Sequence, residues 1–178
     1  MLYPYHDIII LYGMCPGTVI ALAALFMGID MRKATNIISI VLILLYIAFL
    51  VIGWNSFPAE LPTHFNAAGV ADKFGPKSSL IIDPAAMTGL FLLLAVVESF
   101  PKIWNIPAEV IEDNEENVLS TCYMMFGILK IAMILVCAFA GFMCIYPGFP
   151  SWPMYLMIGV ILLTIAVSAI KIYGSKLV

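Results

Sequence analysis

Polar residues in this chain collect between long apolar runs instead of alternating with apolar ones. Five runs stand out: Ile8 to Ile29, Ile37 to Trp54, Leu80 to Phe100, Val118 to Tyr146 and Met154 to Tyr173. The first two hold no charged residue. The third carries Asp83 and Glu98, the fourth Lys130 and the last Lys171. A helix needs about 20 apolar residues to cross the hydrocarbon core of a bilayer, and each run is near that length or longer. Unbroken runs do not fit a membrane β-barrel, whose strands alternate. In lipid only helices and closed barrels satisfy their own backbone groups. The pattern therefore predicts an all-α integral membrane protein, a bundle of five transmembrane helices. The first run is preceded by His6 and Asp7 with no basic flank, so it is expected to be a retained helix and not a signal peptide.

Composition agrees with lipid as the solvent. Hydrophobic residues make up 63% of the chain and charged residues 11%, where a soluble domain carries roughly 25% charged residues. The net charge of −3 gives no basic surface for nucleic acid. With five helices, Arg32, Lys33, Lys102, Lys130, Lys171 and Lys176 fall on one side of the bilayer, and Lys73 and Lys77 on the other. That bias predicts an outside N-terminus and a cytoplasmic C-terminus. It places the loop 55–79 outside, and the acidic segment 101–117, with its Glu109 to Glu116 loop, inside. The chain then divides into a first helix and short loop (1–36), a central part with two helices and both of these segments (37–117), and two C-terminal helices (118–178).

Polar and small residues inside the runs are the next candidates. Gly13, Gly17 and Ala21 repeat at four-residue spacing around Pro16. Such a stripe lets a second helix approach closely, either within the bundle or as a homo-oligomer seam, while Pro16 is expected to kink its helix. Intramembrane charges are functional candidates by default, which makes Asp83, Glu98 and Lys130 a possible polar membrane site. Each also has a plainer reading. Lys130 is expected to snorkel at the cytoplasmic boundary, with Val118 to Leu129 as an extension at that surface. Glu98 sits near the same boundary, or pairs with Lys130 or Lys102. Asp83 before Pro84 fits a helix N-cap followed by proline at the first helical position. Cys15, Cys122, Cys137 and Cys144 lie inside runs without C-x-x-C spacing and read as small buried apolar residues, with no disulfide framework or zinc site expected.

The outside loop concentrates the remaining chemistry. Pro58 and Pro62 disfavour helix before them, Thr63 to Asn66 is a candidate extended segment, and Gly69 and Gly75 permit turns. A loop folded back over the helix ends would gather His64, Asn66, Asp72 and Lys77. His64 and Asp72 supply two good metal ligands and Asn66 a poor one, short of a site. As an acid–base pair, His64 and Asp72 lack a nucleophile motif beside them. The remaining readings are a loop that hydrogen-bonds to itself and a surface that recognises a ligand or peptide.

The stretch Leu61-Pro-Thr-His-Phe-Asn-Ala-Ala-Gly-Val-Ala-Asp-Lys-Phe-Gly-Pro-Lys77 closely resembles the signature of a bacterial membrane family, domain of unknown function 1648, which includes the N-terminal part of SdpI-like proteins. His64, Phe65, Asn66, Gly69, Asp72, Phe74, Gly75 and Lys77 are the matching positions. A second stretch, Phe100 to Asn117, resembles the F-P-x-x-x-N-x-P-V-x-V-T-x-E-N segment of short members. The likeness covers Ile37 to about Tyr146. It implies a multi-pass protein of the bacterial cytoplasmic membrane with an important exterior loop. SdpI-like proteins are immunity and signalling proteins that protect a cell from a toxic peptide and hold a repressor at the membrane. This chain is similar to a short member with an extra N-terminal helix, and shows no match to the SdpI C-terminal half.

These readings point to a non-enzymatic binding, sensor or immunity-type protein that recognises a peptide, an envelope component or another membrane protein through its exterior loop. No cofactor or metal is expected. A small transporter or carrier subunit in a homo-oligomer is the alternative, with Asp83, Glu98 and Lys130 as its polar groups. A membrane hydrolase using His64 and Asp72 is a weaker one.

Overall fold

The computed structural model describes residues 31–66 and 69–174, with the side chains of 108, 109 and 111–114 outside that description. The run Ile8–Ile29, the Gly13/Gly17/Ala21 stripe with Pro16, and Lys176 lie outside the described residues.

Four helices account for the other four runs: α1 (Met31–Gly53), α2 (Ile82–Ser99), α3 (Ala108–Ile145) and α4 (Trp152–Tyr173). All four are long and apolar enough to cross a membrane. Their outward faces carry Leu44, Leu45, Ile52, Leu92, Leu93, Leu162, Leu163 and Ile170, all exposed. Water penalises such a surface, and lipid does not. The structure corrects the all-helical expectation at one place. Between α1 and α2 the chain forms a two-stranded antiparallel hairpin, β1 (Glu60–Phe65) and β2 (Ala71–Pro76), followed by a 3-10 turn, Lys77–Ile81.

Helix α3 is the centre of the bundle and packs against α1, α2 and α4. Its 38 residues make a helix of about 57 Å, nearly twice the hydrocarbon thickness of roughly 30 Å. The expected loop Glu109 to Glu116 is therefore helical backbone, the first turns of α3. Two glycines set how closely α3 approaches α1. A Cβ on Gly127 would lie 2.7 Å from Thr35 Cγ2, and one on Gly141 would run into Tyr46 Oη and Asp83 Oδ2.

Two apolar clusters occupy opposite ends of the bundle. At the hairpin end, Leu61 of β1 and Leu80 of the 3-10 turn enter the core with Tyr46, Leu50, Phe57, Met87, Ile134 and Ile145. Burying Leu61 ties the hairpin to the helices, since each fully buried leucine is worth about 1.5–3 kcal/mol. At the other end, Val110, Val118, Cys122 and Phe126 of α3 meet Ile172 of α4, with Trp104 and Ile106 packed against them. The Phe100–Pro107 motif builds this end. The Trp104 indole N–H donates to the Val97 carbonyl at 2.8 Å, Asn105 adopts φ 54°, and Pro107 caps the start of α3. Asparagine tolerates the left-handed region better than most residues with a side chain.

Candidate functional site

The hairpin residues singled out by the sequence mostly hold the hairpin together. His64 Nδ1 and Asp72 Oδ1 form a hydrogen bond across the two strands. Asn66 closes the turn. Its amide N–H donates to the Val70 carbonyl at 2.9 Å, its side-chain oxygen accepts the Val70 N–H at 3.0 Å, and its carbonyl accepts the Gly69 N–H at 2.8 Å. Gly69 takes φ 77°, a conformation that glycine adopts without steric cost. Gly75 faces Thr63, whose Cγ2 would sit 2.9 Å from an added Cβ. Phe65 is half-buried. Pairing shifts register on either side of His64, so the strands are bulged there, a device that re-aims side chains and increases local twist.

Two signature residues depart from the expected gathering. Lys77 does not join His64, Asn66 and Asp72. Its ammonium donates to the Trp54 carbonyl at 3.0 Å and lies 5.2 Å from the centre of the Trp54 ring, which latches the hairpin exit to the end of α1. Phe74 is 64% exposed and Val70 59%. These two apolar side chains face outward from a hairpin whose His64, Asn66 and Asp72 already bond within it.

Beneath the hairpin lies a cavity of about 420 Å³, lined by Thr63, His64, Phe65, Asn66 and Gly69 from above. Asp83, Ala140, Met143 and Cys144 line it from α2 and α3, and Ser151, Met154 and Tyr155 from the start of α4. The structure corrects the role expected of Asp83. The N-cap of α2 is Ile81, and Asp83 stands inside the first turn, where it accepts a hydrogen bond from Tyr46 Oη at 2.8 Å. Tyr46 is the residue that sequence reasoning missed. A signal for it exists. Thr35, Ser39, Ile43, Tyr46 and Leu50 are the buried residues of α1, spaced three or four apart along one helical face. Polar members of that stripe mark the protein-facing side of a helix otherwise exposed to lipid.

A second polar cluster lies at the opposite end of α2. Lys130 is 1% exposed and Glu98 0%. The Lys130 ammonium donates to Glu98 Oε2 at 2.8 Å and to Asn36 Oδ1. The expected snorkelling of Lys130 is overturned. Helix α3 continues unbroken past Lys130 in both directions, and α1 and α2 cover the side chain, so it ends on partners inside the bundle. Arg32 Nε stands 3.9 Å from Glu98 Oε2, and its guanidinium lies 4.7 Å from the Tyr123 ring centre. Glu98 Oε1 and Ser39 Oγ are buried without a hydrogen-bond partner among the described residues. Lys102 is exposed and does not take part.

The chemistry of these groups is limited. Among the described residues, no three His, Cys, Asp or Glu side chains come together as a metal site. Among the described residues His64 hydrogen-bonds to Asp72, and Thr63, Cys144, Ser151 and Tyr155 line the same cavity. Acid–base chemistry needs the reacting proton within hydrogen-bond reach. What the hairpin end offers is a fixed concave surface with an acidic floor.

Four apolar membrane-length helices and a hairpin held against their ends define a multi-pass membrane protein. Residues 41–88 match the family described as Domain of unknown function (DUF1648), the same family that the hairpin sequence resembles. The match runs from within α1, across the hairpin, into α2, and contains both Tyr46 and Asp83. The chain is also 31% identical over 81 residues to an uncharacterized protein of Archaeoglobus fulgidus, across 41% of this chain and 43% of that protein. It thus spans less than half the length of the curated relative it matches. No solved structure matches the chain.

Proposed function

We propose that this is a non-enzymatic protein of the bacterial cytoplasmic membrane that binds a peptide or an envelope partner at its hairpin end. The observation that carries the reading is the cavity of about 420 Å³ between the hairpin and the ends of α2, α3 and α4. Ligand sites are typically concave, largely apolar and roughly 300–1,000 Å³, with a few fixed polar groups. The rim adds Phe74 and Val70, exposed aromatic and aliphatic side chains of the kind that anchor interfaces. An immunity or sensor role is the form this binding takes in the SdpI-like proteins that the hairpin resembles. The test is a panel of envelope-active peptides applied to cells that carry the protein, its Phe74→Ala form or its His64→Ala/Asp72→Ala form. Protection that vanishes with either variant, at equal protein levels, supports the reading. Unchanged sensitivity in all three strains removes it.

A carrier is the second reading, and the enclosed Glu98–Lys130–Asn36 cluster favours it. Ionisable groups inside membrane bundles commonly mark ion or substrate pathways. Ion or solute flux in proteoliposomes that falls with Glu98→Gln would move the assignment to transport.

A further inference from the structure

We propose that the cavity under the hairpin is an amine site, in which Asp83 is the counter-ion for a protonated amine on an otherwise apolar ligand. The inference deepens the binding role proposed above and rests on it.

The charge balance of the cavity carries the argument. Its lining includes one carboxylate, Asp83, and no lysine or arginine. Asp83 accepts from Tyr46 Oη and stands in the first turn of α2, at the partially positive end of the helix. A phenol dipole and a helix N-terminus each supply partial positive charge. Neither supplies a whole one, and a carboxylate drawn out of water is stabilised mainly by a paired cation. The other acid on the same helix shows that pairing, because Glu98 has Lys130 at 2.8 Å. His64 is the one basic side chain on the cavity wall, and it is already engaged by Asp72.

The remaining walls decide which cation. A bare alkali or alkaline-earth ion wants six or more oxygens. Here Met143, Met154, Ala140, Phe65 and Tyr155 supply most of the wall beside the polar side chains of Thr63, Asn66 and Ser151, which suits an apolar body with a polar end. The volume, about 420 Å³, holds an arylalkyl or aliphatic chain and its amine together. A peptide amino terminus or a lysine side chain presents the same chemistry.

The test uses the full chain in phosphatidylcholine nanodiscs, with phenethylamine and its neutral twin 2-phenylethanol as probes. Binding is read by calorimetry and by the shift in unfolding temperature. The amine should bind about ten-fold or more tightly than the alcohol. Asp83→Asn, which keeps a hydrogen-bond acceptor for Tyr46, should bring the two probes within about two-fold. Glu60→Gln, removing an exposed acid at the start of β1, should leave the preference intact. Equal binding of amine and alcohol to the unaltered protein overturns the proposal, as does an amine preference that survives Asp83→Asn. Displacement of the amine by sodium at equal concentration overturns it too, in favour of an inorganic cation. A peptide still captured in a Phe74-dependent way after any of these failures would leave the hairpin reading standing without the amine site.

Discussion

Helix α2 carries two carboxylates, fifteen positions apart, and the bundle treats them in opposite ways. Fifteen residues are close to four turns, so Asp83 and Glu98 project from similar sides of α2, separated by about 22 Å along its axis. Glu98 is sealed in protein, paired with Lys130 and flanked by Asn36 and Arg32. Asp83 is only half-buried, takes a tyrosine hydroxyl and opens on a cavity. Met87, Ile43 and Ile134, all buried, lie among the side chains that separate them. A buried acid with its own cation is finished as structure. A half-buried acid with only a dipole beside it is open to a partner. That contrast is the basis for proposing recognition at the hairpin end and a structural role for the pair at the other.

Four substitutions can break or sharpen the contrast, each read by denaturant or thermal unfolding in detergent. Lys130→Met should cost most, about 3–5 kcal/mol, because it leaves the buried Glu98 with only the longer 3.9 Å contact to Arg32. Adding Glu98→Gln should restore much of that loss. If Lys130→Met proves harmless, the sealed pair is not what secures that end. Gly141→Ala should cost about 1–3 kcal/mol, since its methyl group would displace the Tyr46–Asp83 contact. Tyr46→Phe should cost about 1–2 kcal/mol by removing the donor to Asp83. Phe74→Ala should change stability by no more than about 0.5 kcal/mol, because the ring is exposed. A large destabilisation there would mean that Phe74 serves the fold instead of a partner.

Much of this architecture is visible in the residues before any coordinates. The apolar runs mark α1 to α4 and most of their ends, although α3 begins ten residues before its run, and the hairpin sequence carries the family resemblance. Three features are not visible, for physical reasons. Strands of six residues with Pro62 and a bulge at His64 lack the clean alternation that announces a hairpin. The depth of Lys130 depends on Asn36 and Glu98, distant in sequence, turning toward it. Without those partners a lysine near a helix boundary reads as interfacial. The role of Asp83 depends on Tyr46, thirty-seven positions earlier. The local Asp-Pro sequence suggests a cap, and only the packing of α1 on α2 and α3 shows another use.

The central claim is that recognition belongs to the hairpin end. Its most direct test is photo-crosslinking in intact cells, with a photoreactive phenylalanine analogue placed at position 74 and, separately, at lipid-facing position 163, during exposure to a labelled envelope-active peptide. The account predicts labelling at position 74 that unlabelled peptide competes away and that Asp72→Ala weakens, with only uncompeted background at position 163. Equal, uncompeted labelling at the two positions would contradict it.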